Sequence, residues 1–214
     1  MLITLICDNP KSWIIPYLKE LKNQLDNPER KTRIVYRHED IEKGDLAFFL
    51  GCETIVEKSY LDLNDKNLVI HESDLPLGKG WSPLTWQILE GKNVIPVTLF
   101  EAKSQVDSGN IYLQDKIVLS GHELLSEIKK LQGEITIKLV REFVNSYPNI
   151  TGYQQLGKST FYPRRKPSDS ELDVNKTILE QFNLLRVVDN VRYPAYFKIN
   201  SVKYLIKIEK EKSR

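Results

Sequence analysis

LITLICDNPKSWIIPYLKELKNQL, residues 2–25, sets the architecture. Leu2–Cys7 is an apolar run with β character, and it stops at the turn cluster Asp8-Asn9-Pro10. Trp13, Ile14, Tyr17, Leu18, Leu21 and Leu25 then recur at helical spacing with lysines between them, the pattern of a helix packed on one face. A strand feeding directly into a helix opens a β-α-β chain, and the alternation continues outward. Arg33–Tyr36, Leu46–Leu50 and Asn67–His71 read as strands, followed by a loop rich in Pro and Gly at Leu75–Gly80. A short helix is expected from Ser82 to Leu89, then strands at Val94–Phe100 and Ile111–Val118 and a long amphipathic helix from Gly121 to Asn145. Strands alternating with helices predict an α/β fold with a mostly parallel sheet. In such sheets ligands bind outside the carboxyl ends of the strands, where strand order reverses, so the loops after Cys7, Leu50, Ile70 and Phe100 are the places to look.

After Tyr147-Pro148 the texture becomes aromatic, basic and rich in turns, through Phe161-Tyr-Pro-Arg-Arg-Lys-Pro167. A helix is expected at Lys176–Val188, then strands at Ala195–Ile199 and Lys203–Ile208 joined by Asn200-Ser201. The chain thus divides into residues 1–150 and a small α+β subdomain, 151–214.

Of the 214 residues, 31 are Lys or Arg and 29 Asp or Glu, a formal charge of +2. Nucleic-acid binders usually carry a basic excess, so this balance predicts no nucleic-acid partner unless a local patch supplies one. No apolar run approaches the length of a membrane span. The opening MLITLICDNP lacks the basic flank of a secretion signal and reads as a first strand, which makes a cytoplasmic location the expectation. Two cysteines, Cys7 and Cys52, cannot build a disulfide framework, and each sits in an apolar run where a thiol packs as a small hydrophobe.

Several motifs are dismissed on physical grounds. Gly152-Tyr-Gln-Gln-Leu-Gly157-Lys158-Ser159 matches the phosphate-binding P-loop pattern. That chemistry needs a strand before the loop and a helix after it, whereas Pro163 and Pro167 leave little room for a helix. His38, His71 and His122 are far apart and neither cysteine belongs to a CxxC pair, so no metal centre is expected. His38 reads as part of a solvated loop and His122 as an exposed residue at a helix start. No GxSxG nucleophile elbow is present.

His71 differs because it ends an apolar strand and opens His71-Glu-Ser73-Asp-Leu75-Pro76-Leu-Gly-Lys-Gly80-Trp-Ser-Pro83-Leu-Thr-Trp86. Farther on come Pro96-Val97-Thr98 and the acidic turn Asp107-Ser-Gly109. Over residues 46–118, these elements resemble the formyltransferases that use 10-formyltetrahydrofolate, a family acting on methionyl-tRNA, glycinamide ribonucleotide and nucleotide sugars. The C-terminal segments Tyr162–Asp173 and Gln181–Ala195 resemble the nucleotide-sugar N-formyltransferase branch. One position departs: the family's Asn two places before the His is Val69 here. Asn67 lies on the same strand face but two residues farther back, ~6–7 Å along the chain.

The resemblance implies a Rossmann-like formyltransferase core and transfer of a formyl group from 10-formyltetrahydrofolate to the amine of a nucleotide-linked amino sugar. The sugar nucleotide expected is a UDP-4-amino-4,6-dideoxy sugar, of the kind that feeds pseudaminic-type glycan biosynthesis. It implies catalysis by His71 and Asp107 through a tetrahedral intermediate, with Asp107 orienting His71. The folate is expected against Gly51, Cys52, Glu53, Thr54, Ile55 and Leu75. Candidate substrate contacts are Asn9, Lys11, Trp13, Lys79, Arg164 and Arg165, the two arginines reading equally as diphosphate ligands or plain surface. The alternatives are a methionyl-tRNA or other amine formyltransferase, and a folate- or nucleotide-binding homologue without activity.

Overall fold

Strand β1 (Leu2–Ile6) runs through the interior of a six-stranded sheet, with its last four residues buried. Helix α1 (Ile15–Leu25) follows, and Ile15, Leu18, Leu21 and Leu25 form its buried stripe. The core continues through β2 (Lys31–Val35), β3 (Gly44–Phe49), the short α2 (Lys58–Leu61) and β4 (Asn64–His71). Next come the two-residue β5 (Lys79–Gly80), α3 (Pro83–Leu89), β6 (Val94–Glu101), β7 (Ile111–Val118) and α4 (Leu125–Ser146). This computed structural model describes residues 1–211.

The strand order is β2-β1-β3-β4-β6-β7. The first four strands are parallel, β6 runs antiparallel to both of its neighbours and β7 runs with the first four, giving a mixed, mostly parallel Rossmann-like sheet. β6 and β7 are joined by a loop too short for a crossover helix, so they pair antiparallel. Chain order reverses between β1 and β3, and the carboxyl ends of β1 to β4 share one edge. One face of the sheet packs against α1 and α4 through Ile3, Leu5, Leu18, Phe48, Val140 and Phe143. The opposite face is sealed by a smaller cluster around Ile6, Ala47, Phe49 and Leu61. Burial of each such aliphatic side chain contributes about 1.5–3 kcal/mol.

Two expected helices are shorter than the periodicity suggests. α4 begins at Leu125 because residues 120–124 form its cap. The Glu123 carboxylate accepts the Ser120 and Gly121 N–H groups, and Glu127 accepts that of Leu124 at 2.8 Å. In the C-terminal part the helix expected over 176–188 is reduced to α5 (Phe182–Val187). There the Gln181 amide donates to the carbonyls of Asp173, Lys176 and Thr177, which holds the preceding residues in a turn.

Beyond α4 the chain folds back, and strand β8 (Phe161–Tyr162) pairs with β5. β9 (Ala195–Ile199) and β10 (Val202–Ile206) form a hairpin whose turn residues Asn200 and Ser201 both have positive φ, the tight turn the strand twist favours. β10 stops two residues before the expected Ile208, because the Ile208 backbone is bound by the Asn190 side chain. Leu172, Leu185, Val188 and Ala195 make a small separate core. Arg186 is 1% exposed and pairs with Glu123 at 2.9 Å, tying α5 to the cap of α4.

Candidate functional site

β4 delivers His71 to the carboxyl edge of the sheet, opposite Thr98 of β6, and the residue is 7% exposed. The chain then turns sharply through Ser73 and Leu75 and comes back past the imidazole. His71 Nε2 lies 2.9 Å from the carbonyl oxygen of Gly78. A carbonyl can only accept, so Nε2 carries a proton and Nδ1 is the nitrogen left for chemistry. Asp107 Oδ2 stands 3.8 Å from the same Nε2, so the two residues meet across 36 positions of sequence. Contact is electrostatic, because the imidazole hydrogen bond goes to Gly78 and the Asp107 carboxylate accepts the Gly80 N–H at 2.9 Å.

Asp107 is held in a left-handed conformation, φ 50°. Two residues on, a Cβ on Gly109 would sit 1.8 Å from the backbone oxygen of Glu101, so only glycine lets the turn close against the end of β6. Leu75 is 4% exposed and packs against Val69, Phe100 and Ile111. Asn67 cannot replace the amide absent at Val69, because its Nδ2 donates to the Leu61 carbonyl at 2.7 Å. Ser73 Oγ, by contrast, is buried beside His71 in sequence and has no hydrogen-bond partner among the described residues.

At the chain-reversal point, the Asp8 carboxylate accepts N–H bonds from Glu53 and Thr54, fixing the loop 51–55 to the end of β1. Gly51, Glu53, Thr54 and Ile55 are exposed there, and Cys52 turns inward to donate to the Ile6 carbonyl at 3.4 Å. An exposed loop with anchored ends suits a ligand read through backbone groups. His38 is not solvated as expected. It is half-buried between Phe49 and Tyr60, and its Nε2 is buried without a partner among the described residues. Asp8, His38 and Cys52 place one donor atom each within 4.8 Å of one another. Burial pushes the Cys52 thiol up to about 12 and the Asp8 oxygens are engaged by amides, so this cluster serves the loop as a clamp.

The substrate candidates separate into two groups. Arg164 is exposed, lies 4.5 Å over the Trp81 ring and reaches Glu53 at 3.7 Å, bridging the C-terminal segment to the 51–55 loop. Asn9 joins the same loop by donating to Glu53 at 3.4 Å, and Lys11 is exposed beside it. Arg165 turns away, donating to the Asp169 carbonyl and lying partly buried. Lys79 is buried, and its backbone pairs with the C-terminal segment. Trp13 is covered by Lys129, whose ammonium sits 4.2 Å over the indole; burial brings that lysine down to about 8, against the opposing pull of Glu72.

Sequence reasoning missed the return segment 153–162. No helix follows Gly157-Lys158-Ser159, so there are no helix-start amides to hold a phosphate. The segment instead crosses the carboxyl edge of the sheet. Tyr153 pairs with Ile111, Gln155 Nε2 donates to the carbonyls of Asp107 and Gly109 at 3.0 and 2.9 Å, and Thr160 Oγ1 accepts the Gly78 N–H at 2.8 Å. Residues 153–160 are marked in the sequence only by the isolated match to a phosphate motif, whose chemistry points elsewhere.

The profile of the formyl transferase family matches residues 15–137. A methionyl-tRNA formyltransferase from Fervidobacterium nodosum is 28% identical over 147 residues, covering 69% of this chain and 47% of that protein. The chain spans about half the length of the first curated relatives it matches. Methionyl-tRNA formyltransferase from Clostridium thermocellum has a similar structure, with a TM-score of 0.84 at 21% identity over 99% of this chain and 94% of that one. A sugar N-formyltransferase from Shewanella sp. gives 0.71 at 15% identity, over 100% and 99%. At these identities the two structures establish the fold.

Proposed function

This chain belongs to the formyl transferase family, and we propose that it transfers a formyl group from 10-formyltetrahydrofolate to the amine of a nucleotide-linked amino sugar. The observation that carries this reading is the meeting of His71 and Asp107 at the carboxyl edge of the sheet, with Nδ1 of His71 unengaged among the described residues. The folate would rest against the exposed 51–55 loop and supply the activated formyl group. His71 Nδ1 would hold or receive the proton exchanged at the reacting centre, while Gly78 and the Asp107 charge keep the ring oriented through Nε2. Positioned acid–base groups of this kind contribute about 10²–10⁴ in rate. With Val69 in place of the amide, hydrogen bonding to the formyl oxygen falls to His71.

A sugar nucleotide is favoured by Arg164 stacked on Trp81, a cation on an aromatic plane at the rim, which suits a diphosphate beside a flat base. We take the carrier to be UDP and the sugar a 4-amino-4,6-dideoxy sugar. A methionyl-tRNA acceptor is the second reading, supported by the names of the curated relatives. Incubation with 10-formyltetrahydrofolate and a panel of UDP-amino sugars, with methionyl-tRNA in parallel, separates the two. Formylation of tRNA alone overturns the sugar assignment. Transfer to no amine, with thermal protection by folate and UDP, identifies a binding protein.

A further inference from the structure

His71 and Asp107 are both held by groups outside the core sheet. His71 is oriented by the Gly78 carbonyl, and the Gly78 N–H in turn donates to Thr160 Oγ1 at 2.8 Å. Asp107 receives the Gly80 N–H, and its own carbonyl is held by Gln155 Nε2 at 3.0 Å. The same amide nitrogen holds Gly109 O at 2.9 Å, so one side chain grips the positive-φ turn on both sides. Between these grips the strap pairs with β5: Lys79 N–H donates to Thr160 O at 2.9 Å and Trp81 N–H to Tyr162 O at 3.1 Å. Contact is tight, since a Cβ on Gly80 would lie 2.5 Å from the Tyr162 oxygen.

We propose that Gln155 and Thr160 are positioning residues, and that the strap 153–162 sets the separation of His71 and Asp107. Gln155 suits the task chemically. Its NH₂ has two protons, and the two backbone oxygens of the Asp107 turn face it; neither glutamate nor leucine could supply both bonds. Thr160 offers a single acceptor to Gly78, the residue whose carbonyl partners His71. Neither residue hydrogen-bonds to the imidazole or the Asp107 carboxylate, so each acts through the loop it holds. Small errors of placement in such a pair cost about 10² in rate.

The inference rests on the proposed formyl transfer for its kinetic arm, and amide exchange supplies an arm that does not. Gln155→Ala and Thr160→Val are each expected to lower kcat about 10–100-fold, with KM for both substrates near that of the parent. Thr160→Ser, which keeps the acceptor, restores the rate. Hydrogen exchange should accelerate at Gly80 in Gln155→Ala and at Gly78 in Thr160→Val, while amides of α4 keep their protection. Parental kcat in both variants overturns the inference. So does a loss carried by KM, or exchange that accelerates throughout the domain. If Gln155→Ala does not fold, the Val and Ser variants at Thr160 decide alone. If the parent protein formylates no amine, the functional reading fails and exchange at Gly78 and Gly80 still decides the role of the strap.

Discussion

His71 Nε2 and Asp107 Oδ2 stand 3.8 Å apart, close enough for charge to act and too far for a hydrogen bond, because each has a nearer partner in the loop between Gly78 and Gly80. Asp107 therefore has two tasks, an electrostatic one at the imidazole and a structural one at the Gly80 amide. Asp107→Asn removes the first and can keep the second, since the amide oxygen still accepts. We expect it to fold normally and to lose about 10²–10⁴ in kcat, as His71→Ala does. Steady-state formylation alongside a thermal melt checks this, and undiminished turnover in either variant rejects the assigned pair.

Val69 stands where the family resemblance places an amide, on the same strand face as His71. Val69→Asn is expected to raise kcat, by up to about 10² if the new amide reaches the formyl oxygen. It should also cost about 1–3 kcal/mol, because the amide enters a cluster with Leu75, Phe100 and Ile111. A destabilised variant with unchanged kcat would place the formyl oxygen elsewhere.

Gly109→Ala drives a methyl group into the Glu101 backbone at the end of β6. The expected outcome is a displaced Asp107 turn, a lower Tm and loss of kcat. A crystal structure of the variant with an unmoved turn would contradict it.

The buried pair Arg186–Glu123 joins α5 to the α4 cap. Arg186→Met should cost about 3–5 kcal/mol by leaving Glu123 without its buried partner, measurable by urea unfolding.

Acid titration tests the same carboxylate. Burial alone would raise the Glu123 pKa, but N–H bonds from Ser120 and Gly121 outweigh it and hold the group at about 2, below its ordinary 4.5. A depressed carboxylate contributes its full stability above the unfolded value and loses it as the pH falls from about 4.5 toward 2. Glu123→Gln should therefore be less stable than the parent at pH 7 and show a shallower decline through that window.

Much of the sheet could be read directly. β7 and β9 fall on the expected residues, and β1, β3, β4 and β6 differ only at their ends, because alternation and apolar runs act within a few residues of chain. The antiparallel β6–β7 pair, the α4 cap and the shortened α5 were not read. Each depends on a side chain or link competing with the regular pattern: Glu123 and Glu127 before α4, Gln181 before α5. His71 and Asp107 carry short-range marks, a strand end and a DxG turn, and the fold brings them to 3.8 Å. The burial of Leu75 against Phe100 and Ile111 and the inward turn of Arg165 are tertiary contacts that apolar or basic character does not encode.

By itself the sequence determined the α/β plan and the family resemblance and marked His71 and Asp107 as a candidate pair, all through periodicity and short local motifs. Only the tertiary structure decided what fixes their geometry. The hydrogen bonds from Gln155 and Thr160 reach across 48 and 82 positions, and a chain read in order has no signal for which distant amide will meet which carbonyl. Those partners are chosen by packing, after the sheet has brought the loops at its carboxyl edge to within a few ångströms of the returning strap.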